Sequence, residues 1–160
     1  MYGDDGAGRE EAGVAPAAVL IPIVCRDELT VLFTQRMAHL RAHSGQVSFP
    51  GGRCEPGDGT PEFTALRETE EEIGLERGRV EVLKRLPEYL TRSGFRVTPV
   101  VGLVTPPFEL RPDRREVEDV FEVSLAFLLD PGNCQRQTRE HEGRTVGFYV
   151  FEHGGRRIWG

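Results

Sequence analysis

The chain has 160 residues, of which 38% are hydrophobic and 29% are charged, and its formal net charge is −6. This length supports one domain with a hydrophobic core, and the composition excludes a fibrous or wholly disordered protein. The acidic balance argues against a nucleic-acid partner, because phosphate neutralisation requires a basic surface. A small anion is still compatible with this charge if a few arginines cluster or a metal ion is present.

The sequence also argues against a membrane or secreted protein. The longest apolar run, residues 12–25, contains Pro16 and Pro22 and is too short to cross a bilayer. The N-terminal residues are acidic and glycine-rich, unlike those of a signal peptide. The 3 cysteines are widely spaced, and their odd number favours neither a disulfide framework nor a zinc site. We therefore expect a cytoplasmic protein with no membrane partner.

The first part of the chain predicts a tail followed by two strands. Residues 1–14 lack hydrophobic periodicity, so we expect a flexible N-terminal tail and a folded domain over residues 15–160. Runs of apolar and β-branched residues predict strands over 17–25 and 29–36, which a polar turn connects.

A helix is predicted after the Pro-Gly-Gly break at residues 50–52. Thr60 is suited to the N-cap and Pro61 to the first helical position, because the cap hydroxyl and the fixed proline backbone both favour a helix start. Gly74 is placed to end the helix in a left-handed conformation.

The rest of the chain has a mostly β pattern. A short helical turn is predicted over residues 124–130 and a hairpin turn over 141–143. The predicted strands span residues 79–90, 95–104, 119–123, 134–140 and 144–152. Many strands around one strongly marked helix indicate an α+β fold with a mixed sheet.

Three glutamates share one face of the predicted helix. Glu68, Glu71 and Glu72 stand at i, i+3 and i+4, where like charges repel and destabilise an isolated helix. They form either a solvated acidic surface or a set of hard oxygen ligands for Mg²⁺ or Mn²⁺. Gly51 and Gly52 allow close approach of the backbone, so a glycine carbonyl is available to the same metal.

Residues 51–75 resemble the Nudix box, which has the pattern Gx5Ex7REUxEExGU with U a bulky apolar residue. The matching residues are Gly52, Arg67, Glu68, Glu71, Glu72, Gly74 and Leu75. Asp58 stands in place of the first glutamate, one extra residue separates it from Arg67, and Thr69 replaces the apolar U. An aspartate with one extra residue resembles the branch of the Nudix family that hydrolyses coenzyme A.

A second motif supports this branch. Residues 32–52 resemble its signature LLTxR(S/A)x3Rx3Gx3FPGG. The matching residues are Thr34, Arg36, Arg41, Gly45, Phe49, Pro50, Gly51 and Gly52. Segments 93–102 and 115–125 are also similar to this branch, and the resemblance extends over residues 17–160.

The resemblance implies a metal-dependent active site. Members of the family cleave a diphosphate linked to another moiety, and Glu68, Glu71 and Glu72 correspond to the catalytic glutamates that hold Mg²⁺ or Mn²⁺, with Gly51 adding a carbonyl. Arg67 is then expected to pair with one of these glutamates. Asp58 is expected to have a structural role.

Two arginines and one further glutamate are candidates by the same resemblance. Arg36 and Arg41 are implied to bind substrate phosphates, because a guanidinium matches phosphate geometry. The alternative is that they are a pair of surface arginines in an arginine-rich chain. The general base is either a glutamate of the box or Glu116. A solvated, non-catalytic Glu116 is an equal alternative.

Together these resemblances imply a Nudix-type α/β/α sandwich with a central mixed β-sheet. The implied reaction is hydrolysis of coenzyme A or acyl-CoA to 3′,5′-ADP and (acyl-)4′-phosphopantetheine. The alternatives are another nucleoside diphosphate, such as ADP-ribose or a dinucleotide, and a catalytically silent Nudix-fold binding module. Similar proteins continue beyond a terminal Ile-Trp-Gly into an apolar helix, so we expect the face around Trp159 to be partly exposed and to favour a homodimer.

Overall fold

A mixed sheet centred on its first strand organises the fold. The computed structural model describes residues 13–39 and 45–159. Within these residues the strands are β1 (Ala15–Val24), β2 (Thr30–Arg36), β3 (Val47–Ser48), β4 (Gly51–Arg53), β5 (Val80–Arg85), β6 (Tyr89–Leu90), β7 (Phe95–Val104), β8 (Val117–Ser124), β9 (Cys134–His141), β10 (Arg144–His153) and β11 (Arg156–Trp159). The helices are α1 (Pro61–Ile73) and α2 (Leu125–Leu129).

Strand β1 joins the two halves of the main sheet. It runs parallel to β7 on one side and antiparallel to β2 and β4 on the other. Strands β5 and β6 pair with β7 and form one outer edge, while β8 and β3 pair with β2. One parallel pairing among antiparallel ones makes the sheet mixed, and the predicted α+β class is confirmed.

Helix α1 begins and ends where the sequence predicts. The Thr60 side chain accepts a hydrogen bond from the backbone N–H of Phe63, Pro61 occupies the first turn, and Gly74 closes the helix with φ 70°. Ala65 and Ile73 are fully buried against the sheet. The helix is therefore fixed at both ends and along its buried face, which sets the direction of its glutamates.

The opposite face of the sheet has a thinner cover. The five-residue helix α2 and a separate sheet of β9, β10 and β11 lie there, and their apolar residues pack with Phe33 and Val123. The predicted hairpin between β9 and β10 is present, with Glu142 and Gly143 at positive φ. Trp159 is 37% exposed, as expected from the sequence, and it contacts Phe148 and Arg139.

None of the helices in the described part of the chain is long and apolar enough to span a membrane. Of the predicted N-terminal tail, residues 1–12 lie outside the described residues.

Candidate active site

Two glycines bring the backbone of β4 against both α1 and β1. A Cβ on Gly52 would lie 2.6 Å from the carboxyl carbon of Glu68, and a Cβ on Gly51 would lie 2.6 Å from the Cα of Val19. At Gly51 the obstacle is the backbone of β1, which cannot move aside, whereas at Gly52 it is the flexible end of the Glu68 side chain, which an added Cβ would displace. The sequence suggests glycine here for its backbone freedom, but the structure shows that the reason is the lack of room for a Cβ.

Glu72 is the most strongly perturbed of the three glutamates. Burial raises its pKa to about 8, and the nearby carboxylates of Glu68 and Glu116 add to this effect. Two groups lower the pKa of Glu72. They are the positive charge of Arg36 and the backbone N–H of Gly51, which donates a hydrogen bond to the Glu72 carboxylate. The fold thus brings together five residues from β2, β4, α1 and the segment before β8, all of which the sequence selects.

Glu68 and Glu71 have different environments although they share a helix face with Glu72. The Glu68 side chain is 19% exposed, and burial is the main cause of its raised pKa. The Glu71 side chain is 60% exposed. Both carboxylates accept hydrogen bonds from Nη1 of Arg67, at 2.9 Å for Glu68 and 3.3 Å for Glu71. The acidic face therefore grades from a half-buried carboxylate to a solvated one.

Arg67 and Asp58 form the structural support of this face. Nε and Nη2 of Arg67 each donate to an Asp58 carboxylate oxygen at 2.9 Å, and the Thr64 hydroxyl donates to Asp58 at 2.7 Å. The Arg67 guanidinium is the main cause that holds the pKa of Asp58 well below its usual range. Asp58 is occupied by these partners, which fits the structural role expected for it, and the expected pairing of Arg67 with glutamates is present.

Arg36 and Glu116 meet at an irregular point between β2 and β8. The pairing register shifts between Gln35 and Arg36, so that Arg36 lies opposite Val117. The backbone N–H of Met37 donates to the Glu116 carbonyl at 2.9 Å. This hydrogen bond fixes the backbone next to Arg36 and at Glu116, whose charges lower and raise the pKa of Glu72, respectively. Arg41 lies outside the described residues.

A row of stacked side chains that the sequence does not predict supports these strands. Phe33 stacks on Phe49 and on Phe121, with ring centroids 4.9 Å and 5.8 Å apart. The Arg156 guanidinium lies 4.0 Å from the Phe121 ring centroid and also binds Asp119. The row runs from β11 to the residue before the Pro-Gly-Gly segment. In the sequence these residues lie far apart on separate segments, and no local pattern connects them.

The residues fit a divalent cation by their chemistry. Carboxylate oxygens suit Mg²⁺ and Mn²⁺, and half-buried Glu68 and Glu72 repel each other unless a proton or a cation neutralises them. Among the described residues, no three acidic, histidine or cysteine side chains form a ready metal centre. Glu68 and Glu71 are turned toward Arg67.

Comparison with known proteins identifies this architecture. The NUDIX domain profile matches residues 14–145. A Yersinia pestis (strain Pestoides F) protein, described as an uncharacterized Nudix hydrolase NudL, is 42% identical over 144 residues, which are 90% of this chain and 72% of that protein.

Solved structures share the fold at lower identity. A Mycobacterium smegmatis Nudix hydrolase, RenU, has a TM-score of 0.56 at 24% identity, covering 82% of this chain and 84% of its own. A Caenorhabditis elegans Ap4A hydrolase complex has a TM-score of 0.59 at 18% identity, covering 69% of this chain and 80% of its own. Because the family profile and the NudL relative both cover most of the sequence, the chain belongs to the Nudix hydrolase family.

Proposed function

We propose that this Nudix hydrolase cleaves the diphosphate bond of coenzyme A or acyl-CoA, giving 3′,5′-ADP and (acyl-)4′-phosphopantetheine, with Mg²⁺ or Mn²⁺ as its cofactor. Nudix hydrolases act on small molecules and use divalent cations, and the finer assignment rests on the coenzyme A signature around Arg36. One observation carries it. Arg36 lies close enough to Glu72 to lower its pKa, so the guanidinium that we propose to bind phosphate adjoins the carboxylate cluster.

Glu68, Glu71, Glu72 and the carbonyl of Gly51 are the proposed metal ligands. When held by these groups, a divalent cation would neutralise the negative charge of the diphosphate oxygens and would acidify a bound water. For Glu68 and Glu71 to act as ligands, both carboxylates must exchange hydrogen bonds from Arg67 for the metal. Arg67 stays held by Asp58 during this exchange, because it donates two further hydrogen bonds to that carboxylate.

The protein groups supply orientation and proton transfer. The guanidinium of Arg36 binds phosphate oxygens of the substrate, and Arg41 is proposed to assist it. Water attacks one phosphorus, the bridging P–O bond breaks, and a carboxylate accepts the proton that the water loses. We assign this carboxylate to a glutamate of the Nudix box or to Glu116. Glu116 is close enough to Glu72 for its negative charge to raise the pKa of Glu72.

A substrate panel tests the proposal. The enzyme is incubated with coenzyme A, dephospho-coenzyme A, ADP-ribose or a dinucleotide, each with Mn²⁺ and with Mg²⁺, and kcat/KM is determined. We expect the highest value for coenzyme A. A poor value for coenzyme A with rapid cleavage of another substrate would overturn the substrate assignment, and no cleavage of any diphosphate would favour a silent binding module.

A further inference from the structure

Exposed apolar side chains concentrate on one edge of the main sheet. Residues 80–90, which we call the β5–β6 edge, pair with β7, and no other strand of the described chain pairs with their outer side. Ten large apolar side chains are exposed in the described chain, and five of them lie on this edge. They are Val82, Leu83, Leu86, Tyr89 and Leu90, with Leu90 61% exposed. An unpaired edge that carries such side chains is a site of association.

The sequence of this edge is symmetric about Leu86. Apolar residues lie three and four positions away on both sides, and opposite charges lie two positions away. The matched positions are Leu83 with Tyr89, Val82 with Leu90, and Lys84 with Glu88. Two copies of the segment, placed antiparallel, would therefore bring apolar residues against apolar residues and lysine against glutamate.

We infer that the β5–β6 edge is a homodimer contact, with a two-fold axis at Leu86. In a two-fold contact, residue i of one copy meets j of the other while j meets i, so a self-complementary pattern is required. An unrelated partner needs no such symmetry, which favours a second copy of this chain. Each dimer would form two Lys84–Glu88 pairs between its copies.

The charges on this edge are available for the contact. Lys84 forms no ion pair among the described residues. The Glu88 side chain is 54% exposed; one of its carboxylate oxygens accepts a hydrogen bond from the Thr98 hydroxyl at 3.3 Å, and the other lies 3.6 Å from the Arg96 guanidinium. A lysine from a second copy can therefore approach Glu88 from the solvent side.

Side chains rather than a continuous β ladder make the proposed contact. The register of β5 against β7 shifts between Val82 and Lys84, and Pro87 has no N–H to donate. Both features weaken strand pairing at the outer edge. Strands β7 and β1 separate the edge from β2 and β8, and the edge reaches α1 through the Arg85–Glu62 ion pair in the first turn of that helix, at the opposite end from Glu71 and Glu72. The contact is therefore independent of the proposed function.

Sedimentation velocity over a concentration series from about 1 to 200 μM tests the inference. We expect the average mass of the wild-type protein to rise toward that of a dimer. Lys84→Glu and Glu88→Lys should each weaken the dimer about tenfold, since each places like charges together twice. The double variant should restore it. Thermal unfolding of each variant verifies that the monomer is folded.

Matched substitutions at two exposed leucines distinguish a specific contact at this edge from non-specific hydrophobic association. Leu83→Asp should abolish the dimer, whereas Leu129→Asp, at a leucine that is 71% exposed on α2, should leave it intact. Leu86→Cys should form a disulfide-linked dimer under mild oxidation, and Leu129→Cys should not. A monomer at every concentration, equal effects of the two aspartate variants, or no restoration by the double charge exchange would overturn the inference.

Discussion

The Glu72→Gln substitution should stabilise the metal-free protein while it removes activity. Glu72 has its pKa raised from 4.5 to about 8, mainly by burial. The folded state therefore binds more protons than the unfolded state between these two values. Stability must fall as pH rises through this window, and the loss is complete above pH 8. Glutamine keeps the shape of the side chain and has no proton to lose.

The expected magnitude follows from the size of the pKa change. Each pKa unit is worth about 1.4 kcal/mol, so the full shift corresponds to an upper limit of about 5 kcal/mol. Local rearrangement reduces such a cost, and we expect a gain of about 1–3 kcal/mol for Glu72→Gln at pH 8.5. In a domain of this size, that gain raises Tm by roughly 2–12 °C. At pH 5 the wild-type carboxyl is protonated, and the two proteins should unfold at nearly the same temperature.

Thermal unfolding in EDTA at pH 5 and pH 8.5 provides the assay. Glu71→Gln is the matched control, because its carboxylate is 60% exposed and should give a much smaller change. Added Mg²⁺ or Mn²⁺ should then stabilise the wild type, by about 2.7 kcal/mol at a hundred times Kd, and stabilise Glu72→Gln much less. A variant that is no more stable than the wild type at pH 8.5, or equal stabilisation of both proteins by metal, would refute the reasoning.

Three further predictions concern groups around this carboxylate. Arg36→Ala should lower kcat/KM about ten- to a hundredfold for coenzyme A and much less for its 3′-dephospho form, and equal losses would assign Arg36 to the diphosphate or the fold. Gly52→Ala should displace the flexible Glu68 carboxylate, and we expect kcat to fall at least about tenfold with little change in Tm. Gly51→Ala should lower Tm in the same measurements, because its Cβ would meet the backbone of β1. Asp58→Asn should lower Tm at neutral pH. The difference from wild type should shrink progressively as pH falls below the ordinary carboxyl pKa of 3.8, and it should vanish only in strong acid, because the lowered pKa keeps Asp58 ionised in the folded protein well below that value.

Local signals account for the elements that the sequence predicts correctly. The caps of α1 lie within a few residues of the helix ends, so Thr60 and Gly74 define it without tertiary information. The long strands carry enough apolar residues to show a pattern. Strands β3, β4 and β11 have two to four residues, which is too short for periodicity, and they form because neighbouring strands pair with them.

The sequence indicates which glutamates share a helix face, but it does not indicate how strongly each of them is buried. Helix spacing places Glu68, Glu71 and Glu72 on one face, yet their unequal exposure depends on β4 and on the segment before β8. The raised pKa of Glu72 arises mainly from its burial, with smaller contributions from Glu68, one helical turn earlier, and from Glu116, far away in the sequence. The support from Arg156 also depends on contacts between distant strands, which no local pattern encodes.

Product identification with coenzyme A as the sole substrate tests the central claim most directly. The enzyme is mixed with coenzyme A and Mn²⁺ and, in parallel, with EDTA, and the products are identified by mass. We predict 3′,5′-ADP and 4′-phosphopantetheine in equal amounts with metal, none with EDTA, and almost none from Glu72→Gln. Intact coenzyme A under conditions in which the same preparation cleaves another diphosphate would contradict the account.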